Sequence, residues 1–206
     1  MTLKRTGLTA AVVLLIGISI VLPLMREPDL SGYHSLLSPR TTILPDQKVV
    51  VVEARGDPNV VGREAMRLLF RLYFSIPGVP KGSKQPAPRA RWEKSLKLPK
   101  AEWIGRYAMP VPDQTAILPK RRDDAGLKVE LVTWEYGRVA EILHIGPYDK
   151  EEPAITKLKQ YIQDNGDEIV GDHEEEYLRG PGMFFKGDPA KYHTIIRYRI
   201  KRSSSS

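Results

Sequence analysis

The sequence contains no cysteine among its 206 residues. Disulfide bonds, thiolate nucleophiles and cysteine-ligated zinc sites are therefore excluded. Two common catalytic signatures are missing as well, the G-x-S-x-G nucleophile elbow and the H-E-x-x-H zinc motif. The spacing of His144, His173 and His193 matches no metal-ligand motif either. We therefore expect no metal and no cofactor.

Acidic residues are scarce in two segments, and these segments account for the net charge of +7. The first is residues 1–26, and the second is 78–100, where Glu93 is the one acid among seven basic residues. The rest of the chain is nearly neutral. We interpret 78–100, which also contains four prolines, as a basic solvated loop. Because no helix-turn-helix, zinc finger or RNA-recognition pattern accompanies it, nucleic acid is not an expected partner.

Residues 7–25 form an uncharged apolar run with Lys4 and Arg5 before it and Arg26 after it. A helix of this length rises about 28 Å, close to the thickness of the bilayer core. The run ends without a small-x-small cleavage site, which favours a signal anchor over 1–26 that contacts membrane lipid through residues 7–25; a cleaved signal peptide is the alternative. The positive charges predict a single-pass membrane protein with a cytoplasmic N-terminus and an extracytoplasmic domain.

Beyond a tether over 27–47, the pattern of elements is strand, helix, strand, strand, and then the same again. Asp57 and Pro58 mark the start of the first helix, and Asn165 and Gly166 mark the end of the second. The predicted strands lie at 48–54, 103–109, 127–136, 139–145, 173–178 and 192–201. Residues 203–206 form a polar tail.

This order predicts an α+β fold built from duplicated βαββ units, with halves at about 48–136 and 137–202. The two halves are expected to form one joined antiparallel sheet. Both helices are placed on one face of that sheet and a ligand groove on the other. One transmembrane helix precedes this domain.

Two motifs point to a known family: H-I-G-P-Y-D-K-E-E-P at 144–153 and G-D-H-E-E-E-Y-L at 171–178. They resemble the GyrI-like family, which includes the effector-binding domains of AraC-type and MerR-type transcription regulators, some of which bind many drugs. The resemblance covers residues 48–202. It implies the duplicated fold and a groove carboxylate two residues before a tyrosine, which here is Glu175 before Tyr177. No DNA-binding helices precede the domain, so a direct role in transcription is not expected.

Strand alternation places His173, Glu175 and Tyr177 on one face and Glu174 and Glu176 on the other. Burial should raise the pKa of the Glu175 carboxyl group. The expected ligand is a small lipophilic molecule, in particular a cation, because aromatic rings and a carboxylate both attract cations. The candidate ligand-binding aromatic residues on strands and turns are Trp103, Tyr107, Trp134, Tyr148, Tyr177 and Tyr198.

Two alternatives to a binding protein remain. Some members of the family are hydrolases of electrophilic small molecules, which implies Glu175 as a general base with Tyr148 or Tyr107 orienting the water. A protein-interaction scaffold would use neither residue.

Overall fold

The computed structural model describes residues 30–93, 98–118, 126–181 and 187–203. The predicted membrane span at 7–25 lies outside these residues. In the described part of the chain, no helix is both long and apolar enough to cross a bilayer. The contacts divide the chain into Met1–Ser31 and Gly32–Ser206, and the description below concerns the second unit.

The described residues form nine strands and two α-helices. The strands are β1 (Arg40–Leu44), β2 (Gln47–Arg55), β3 (Arg89–Trp92), β4 (Ile104–Pro110), β5 (Lys128–Trp134), β6 (Gly137–Ile145), β7 (Asp167–Ile169), β8 (His173–Arg179) and β9 (His193–Arg202). The helices are α1 (Pro58–Ser75) and α2 (Glu152–Asp164). A 3₁₀ turn at Ser31–Leu37 precedes β1.

All the strands belong to one antiparallel sheet with the order β1-β6-β9-β8-β3-β4-β2-β5, while β7 pairs with the end of β9. The centre of the sheet is the β8–β3 pair, in which Glu175 lies opposite Ala90. On its other side β8 pairs with β9, where Ile196 lies opposite Glu175. Glu175 therefore stands near the middle of the sheet.

The predicted fold class is wrong, because the domain is mostly an antiparallel sheet with few helices, and the described residues include no transmembrane helix. Three strands were not expected: β1 in the predicted tether, β3 in the predicted basic loop and β7 after α2. The strands that follow α1 are therefore β3 and β4, and β5 is an edge strand on the far side of β2. Because prolines flank β1 and β3, the sequence pattern in these short segments favoured loops over strands.

The formation of β3 has a clear electrostatic cause. Arg89 lies opposite Glu176 in the ladder with β8, and Arg91 lies opposite Glu174. Opposite charges on directly paired residues stabilise a strand pair. The interpretation of 78–100 as a solvated loop is thus wrong for this strand, since its arginines are paired with glutamates.

Both helices pack on the same face of the sheet, which we call the helix face. Helix α1 begins as predicted after Asp57, whose side chain accepts a hydrogen bond from the Asn59 amide, and its buried residues include Leu69 and Tyr73. They pack with Val50 and Val52 of β2. In the other half, Leu158 and Ile162 of α2 pack on Ile196 and other residues of β6 and β9.

The expected position of the groove is wrong. Glu175 shares a face with Ala90 and Ile196, its partners across the two neighbouring strands. These two residues belong to the cores beneath α1 and α2. The carboxylate thus lies on the face that carries the helices. The opposite face carries Arg89, Arg91, Arg197, Glu174 and Glu176, and we call it the arginine face.

Candidate functional site

The candidate site is centred on the Glu175 carboxylate, whose side chain is 13% exposed. The hydroxyl of Tyr177 donates a hydrogen bond to Oε2 at 2.6 Å. Nε2 of His173 is 2.9 Å from Oε1. Because these residues alternate along β8, one strand supplies the carboxylate and both of these partners.

The surroundings of Glu175 favour the ionised form of its carboxyl group. Burial alone raises its pKa, but the hydrogen bond and charge of His173, together with Tyr177 and Trp92, outweigh burial and lower the pKa below the ordinary 4.5. The expectation of a raised pKa is therefore wrong. Its ion pairing in the described part of the chain is with His173, and no arginine or lysine there forms an ion pair with it.

A second carboxyl group, that of Glu151 at the start of α2, has the opposite character. Burial raises its pKa to about 9, and the negative charge of Glu175 adds to this effect. Its Oε1 is buried and forms no hydrogen bond with the described residues. The two carboxyl groups therefore titrate as a pair, in which Glu151 is the member that holds a proton more strongly.

Three more polar groups surround the carboxylates without a well-formed hydrogen bond. They are the indole N–H of Trp92, the hydroxyl of Tyr107 and the hydroxyl of Thr194, all buried. Trp92 and Thr194 are close enough to lower the pKa of Glu175 and Glu151, respectively. Burial raises the pKa of Tyr107, and the charge of Glu175 raises it further. Buried polar groups are normally paired, so the Tyr107 hydroxyl, for which no such interaction is seen, is the group available to a ligand or to water.

Aromatic rings enclose the carboxylate. Tyr148 contacts Tyr177 edge to face, with 5.5 Å between ring centroids, and it packs against Tyr192 at 5.2 Å. On the other side Trp92 packs edge to face on Tyr107 at 5.6 Å. Tyr148 is 38% exposed and therefore lies at the outer edge of the site.

The structure brings together most of the predicted site residues. Tyr177 contacts Glu175 directly, and Tyr148 and Tyr107 belong to the surrounding rings. Tyr198 acts one step further away, because its hydroxyl lies 2.8 Å from Nδ1 of His173 and so helps to orient that ring.

Two predicted residues lie elsewhere. Trp103 packs behind Trp92 at 5.8 Å and donates its indole N–H to the carbonyl of Leu98. Trp134 lies on the arginine face, where the guanidinium of Arg91 stacks 4.0 Å from its ring. The sequence could not show on which face Trp134 lies, because the face of a residue on an edge strand depends on the register in which that strand pairs.

Sequence reasoning missed Glu151, Trp92 and Thr194, and it considered His173 only as a metal ligand. Trp92 was assigned to a loop, although the alternation Ala90-Arg91-Trp92 carries a strand signal. Glu151 precedes a helix in a charged segment, where a surface position is the usual outcome. Within the described part of the chain, Glu151, His173 and Glu175 each offer one ligand atom within 4.8 Å of the others, so this group could hold a metal ion.

Solved structures with the same fold include a hydrolase from Listeria innocua, with a TM-score of 0.64 at 19% identity over 84% of this chain and 96% of that chain. The C-terminal domain of EcmrR matches with a TM-score of 0.57 at 16% identity, covering 80% of this chain and 98% of that one. These neighbours support a GyrI-like fold. No protein-family model matches the sequence, and no curated protein does.

EcmrR in a complex with DNA matches with a TM-score of 0.60 at 15% identity, over 93% of this chain and 70% of that one. Likeness at this level of identity concerns the fold alone. That nucleic acid is not a partner of this chain stays a prediction.

Proposed function

We propose that the domain binds a small lipophilic cation on the helix face, with Glu175 as the anionic centre. The observation that carries this proposal is a carboxyl group, 13% exposed, whose hydrogen-bond partners His173 and Tyr177 lower its pKa and which forms no ion pair with an arginine or lysine in the described part of the chain. An ionised group at such a depth is favourable only when an opposite charge or several hydrogen bonds compensate its lost hydration. His173, Tyr177 and Trp92 supply part of this compensation, and a bound cation would add a full opposite charge.

The surroundings of Glu175 suit a cation with an apolar body. The rings of Tyr148, Tyr177, Tyr107 and Trp92 offer π-faces and apolar surface around the carboxylate. Each desolvated cation–π contact contributes about 0.5–2 kcal/mol. A ligand reaches the carboxylate by displacing Tyr148, which is the most exposed ring of the group.

Hydrolysis of an electrophilic small molecule is the second candidate. It is favoured by the two carboxyl groups whose pKa values are shifted apart, because such a pair can supply a base and an acid at one pH. Glu175 would take a proton from water as its oxygen attacks an electrophilic carbon, and Glu151 would give its proton to the leaving group. A neighbour of the same fold is described as a hydrolase.

The test uses the full-length chain in mild detergent, titrated with tetraphenylphosphonium or a rhodamine-type dye and followed by tryptophan fluorescence. Glu175→Gln keeps the side-chain shape and removes the charge, so we expect the dissociation constant to rise at least about tenfold. Glu168→Gln, which removes a charge from an exposed position, is the matched control and should change it less than about twofold.

The outcomes separate the candidates. Equal affinity in Glu175→Gln and the wild type would show that the binding proposal is wrong. Turnover of an electrophile that is lost in both Glu175→Gln and Glu151→Gln would establish hydrolysis. Binding without turnover, sensitive to Glu175 alone, would establish the first proposal.

Attachment to the membrane through residues 7–25 stays a prediction from the sequence, which extraction with alkaline carbonate would test.

A further inference from the structure

A polar cavity of about 190 Å³ opens on the arginine face, across the sheet from Glu175. Its position follows from strand alternation, since Glu174 lines it while the neighbouring Glu175 points to the helix face. The cavity is lined by Arg91, Tyr136, Val139, Val170, Gly171, Asp172, Glu174, Arg197 and Arg199.

Three guanidinium groups and two carboxylates line the cavity, and Glu141, Glu176 and Glu135 beside it bond two of the same arginines. Two of the guanidinium groups are held rigidly. Arg197 bonds Glu141, Glu174 and Glu176, and Arg91 bonds Glu174 while it stacks on Trp134. Their N–H groups already donate to these glutamates, so Arg197 and Arg91 act as a fixed wall of the cavity rather than as free donors for an anion.

The third guanidinium group, that of Arg199, is held loosely. Its partner Glu135 lies 3.2 Å away and is 73% exposed. A solvent-exposed pair of this kind contributes little free energy, so an incoming anion can replace Glu135. Gly171 allows the chain to pass close to this arginine, since a Cβ there would lie 2.8 Å from Cβ of Arg199.

We propose that this cavity binds a small anion with carboxylate or phosphate oxygens, and that Arg199 is the group that engages it. The volume corresponds to roughly six water molecules at about 30 Å³ each, which is enough for a pyrophosphate or a small tricarboxylate. This site is separate from the helix-face site and does not rest on its function.

The experiment is isothermal calorimetry on the full-length chain in mild detergent, with pyrophosphate and citrate as probes. We expect Arg199→Gln to raise the dissociation constant about tenfold through loss of a charge-assisted contact. Lys201→Gln is the matched control, because it removes the same charge from the same strand at a side chain that pairs with Glu168 outside the cavity. The control should change the affinity less than about twofold.

A second variant should change the affinity for the anion in the opposite direction. Asp172→Asn removes a negative charge from the lining, so it should tighten anion binding severalfold. A general structural disturbance would not weaken binding in one variant and strengthen it in the other. Glu175→Gln should leave anion binding unchanged, which separates this proposal from the helix-face site. Equal affinities for Arg199→Gln and Lys201→Gln, or no heat with either probe, would overturn the proposal. A preference for pyrophosphate or for citrate identifies the ligand class.

Discussion

The two faces of β8 give neighbouring glutamates opposite environments. On the arginine face, Glu174 bonds Arg91 and Arg197, and Glu176 bonds Arg89 and Arg197. On the helix face, Glu175 is bonded by a histidine and by neutral donors. The first two charges are neutralised within the protein. The comparison teaches that position within a run of identical residues decides whether a carboxylate holds the fold together or stays available to a ligand.

The difference also concerns the buried hydroxyl groups, although the arginine face too holds buried nitrogens without a hydrogen bond, Nε of Arg89 and Nε1 of Trp134. On the helix face the Tyr107 hydroxyl, the Trp92 indole and Glu151 Oε1 lack well-formed hydrogen bonds within the described chain. On the arginine face the Tyr136 hydroxyl accepts from Arg89 at 2.8 Å and donates to Glu174 at 2.9 Å. A hydroxyl with two partners contributes to a rigid network, whereas a buried hydroxyl without a well-formed partner is available to a ligand or to water.

The largest expected effect comes from breaking the arginine-face network. Arg197→Met removes the buried guanidinium group that pairs with the carboxylates of Glu141, Glu174 and Glu176. Removing one member of a buried ion network typically destabilises a protein by about 3–5 kcal/mol. Urea unfolding of the full-length chain, followed by tryptophan fluorescence, measures this loss.

Lys201→Met is the control for that change, because it removes a charge from an exposed site on the same strand. It should alter the free energy of unfolding by less than about 0.5 kcal/mol. If Arg197→Met were no more destabilising than this control, the contrast between the two faces would have no energetic basis.

The next prediction tests the helix face through the pH dependence of the free energy of unfolding. The pKa of Glu151 is raised to about 9 in the folded protein, against an ordinary 4.5. At any pH between these two values, unfolding therefore releases a proton from this group. The stability that this group contributes is complete below pH 4.5 and is lost as the pH rises towards 9. The slope is at most about 1.4 kcal/mol per pH unit. Glu175, with its lowered pKa, stays ionised in this window and adds no slope.

Glu151→Gln should therefore flatten the fall in unfolding free energy between pH 5.5 and 8.5, whereas Glu168→Gln should leave it as in the wild type. Urea unfolding at three pH values measures the slopes. Equal slopes in Glu151→Gln and the wild type would mean that this carboxyl group is ionised in the folded protein at neutral pH.

The sequence predicted the local elements better than their arrangement. Asp57 and Pro58 mark α1 because capping is a local interaction, and alternation along 173–177 correctly separated Glu175 from Glu174 and Glu176. In contrast, the site partners on other strands, Trp92 and Thr194, depend on pairing register, which no local pattern determines.

The pKa of Glu175 shows the same limit. Burial alone predicted a raised value, and the lowered value depends on His173 and Tyr177 placing donors on both oxygens. The two residues were assigned to the correct face. Whether their side chains turn towards the carboxylate is decided by tertiary contacts such as that of Tyr198 with His173.

The smallest expected effect compares two buried tyrosine hydroxyls directly. Tyr136→Phe removes a hydroxyl that bonds Arg89 and Glu174, so it should cost about 1–3 kcal/mol of unfolding free energy. Tyr107→Phe removes a buried hydroxyl without a well-formed partner, so it should leave the stability unchanged or raise it by up to about 1 kcal/mol. The two substitutions are chemically identical, and urea unfolding measures both. Equal destabilisation by both would show that Tyr107 has a partner within the folded chain, so that its hydroxyl is not available to a ligand or to water.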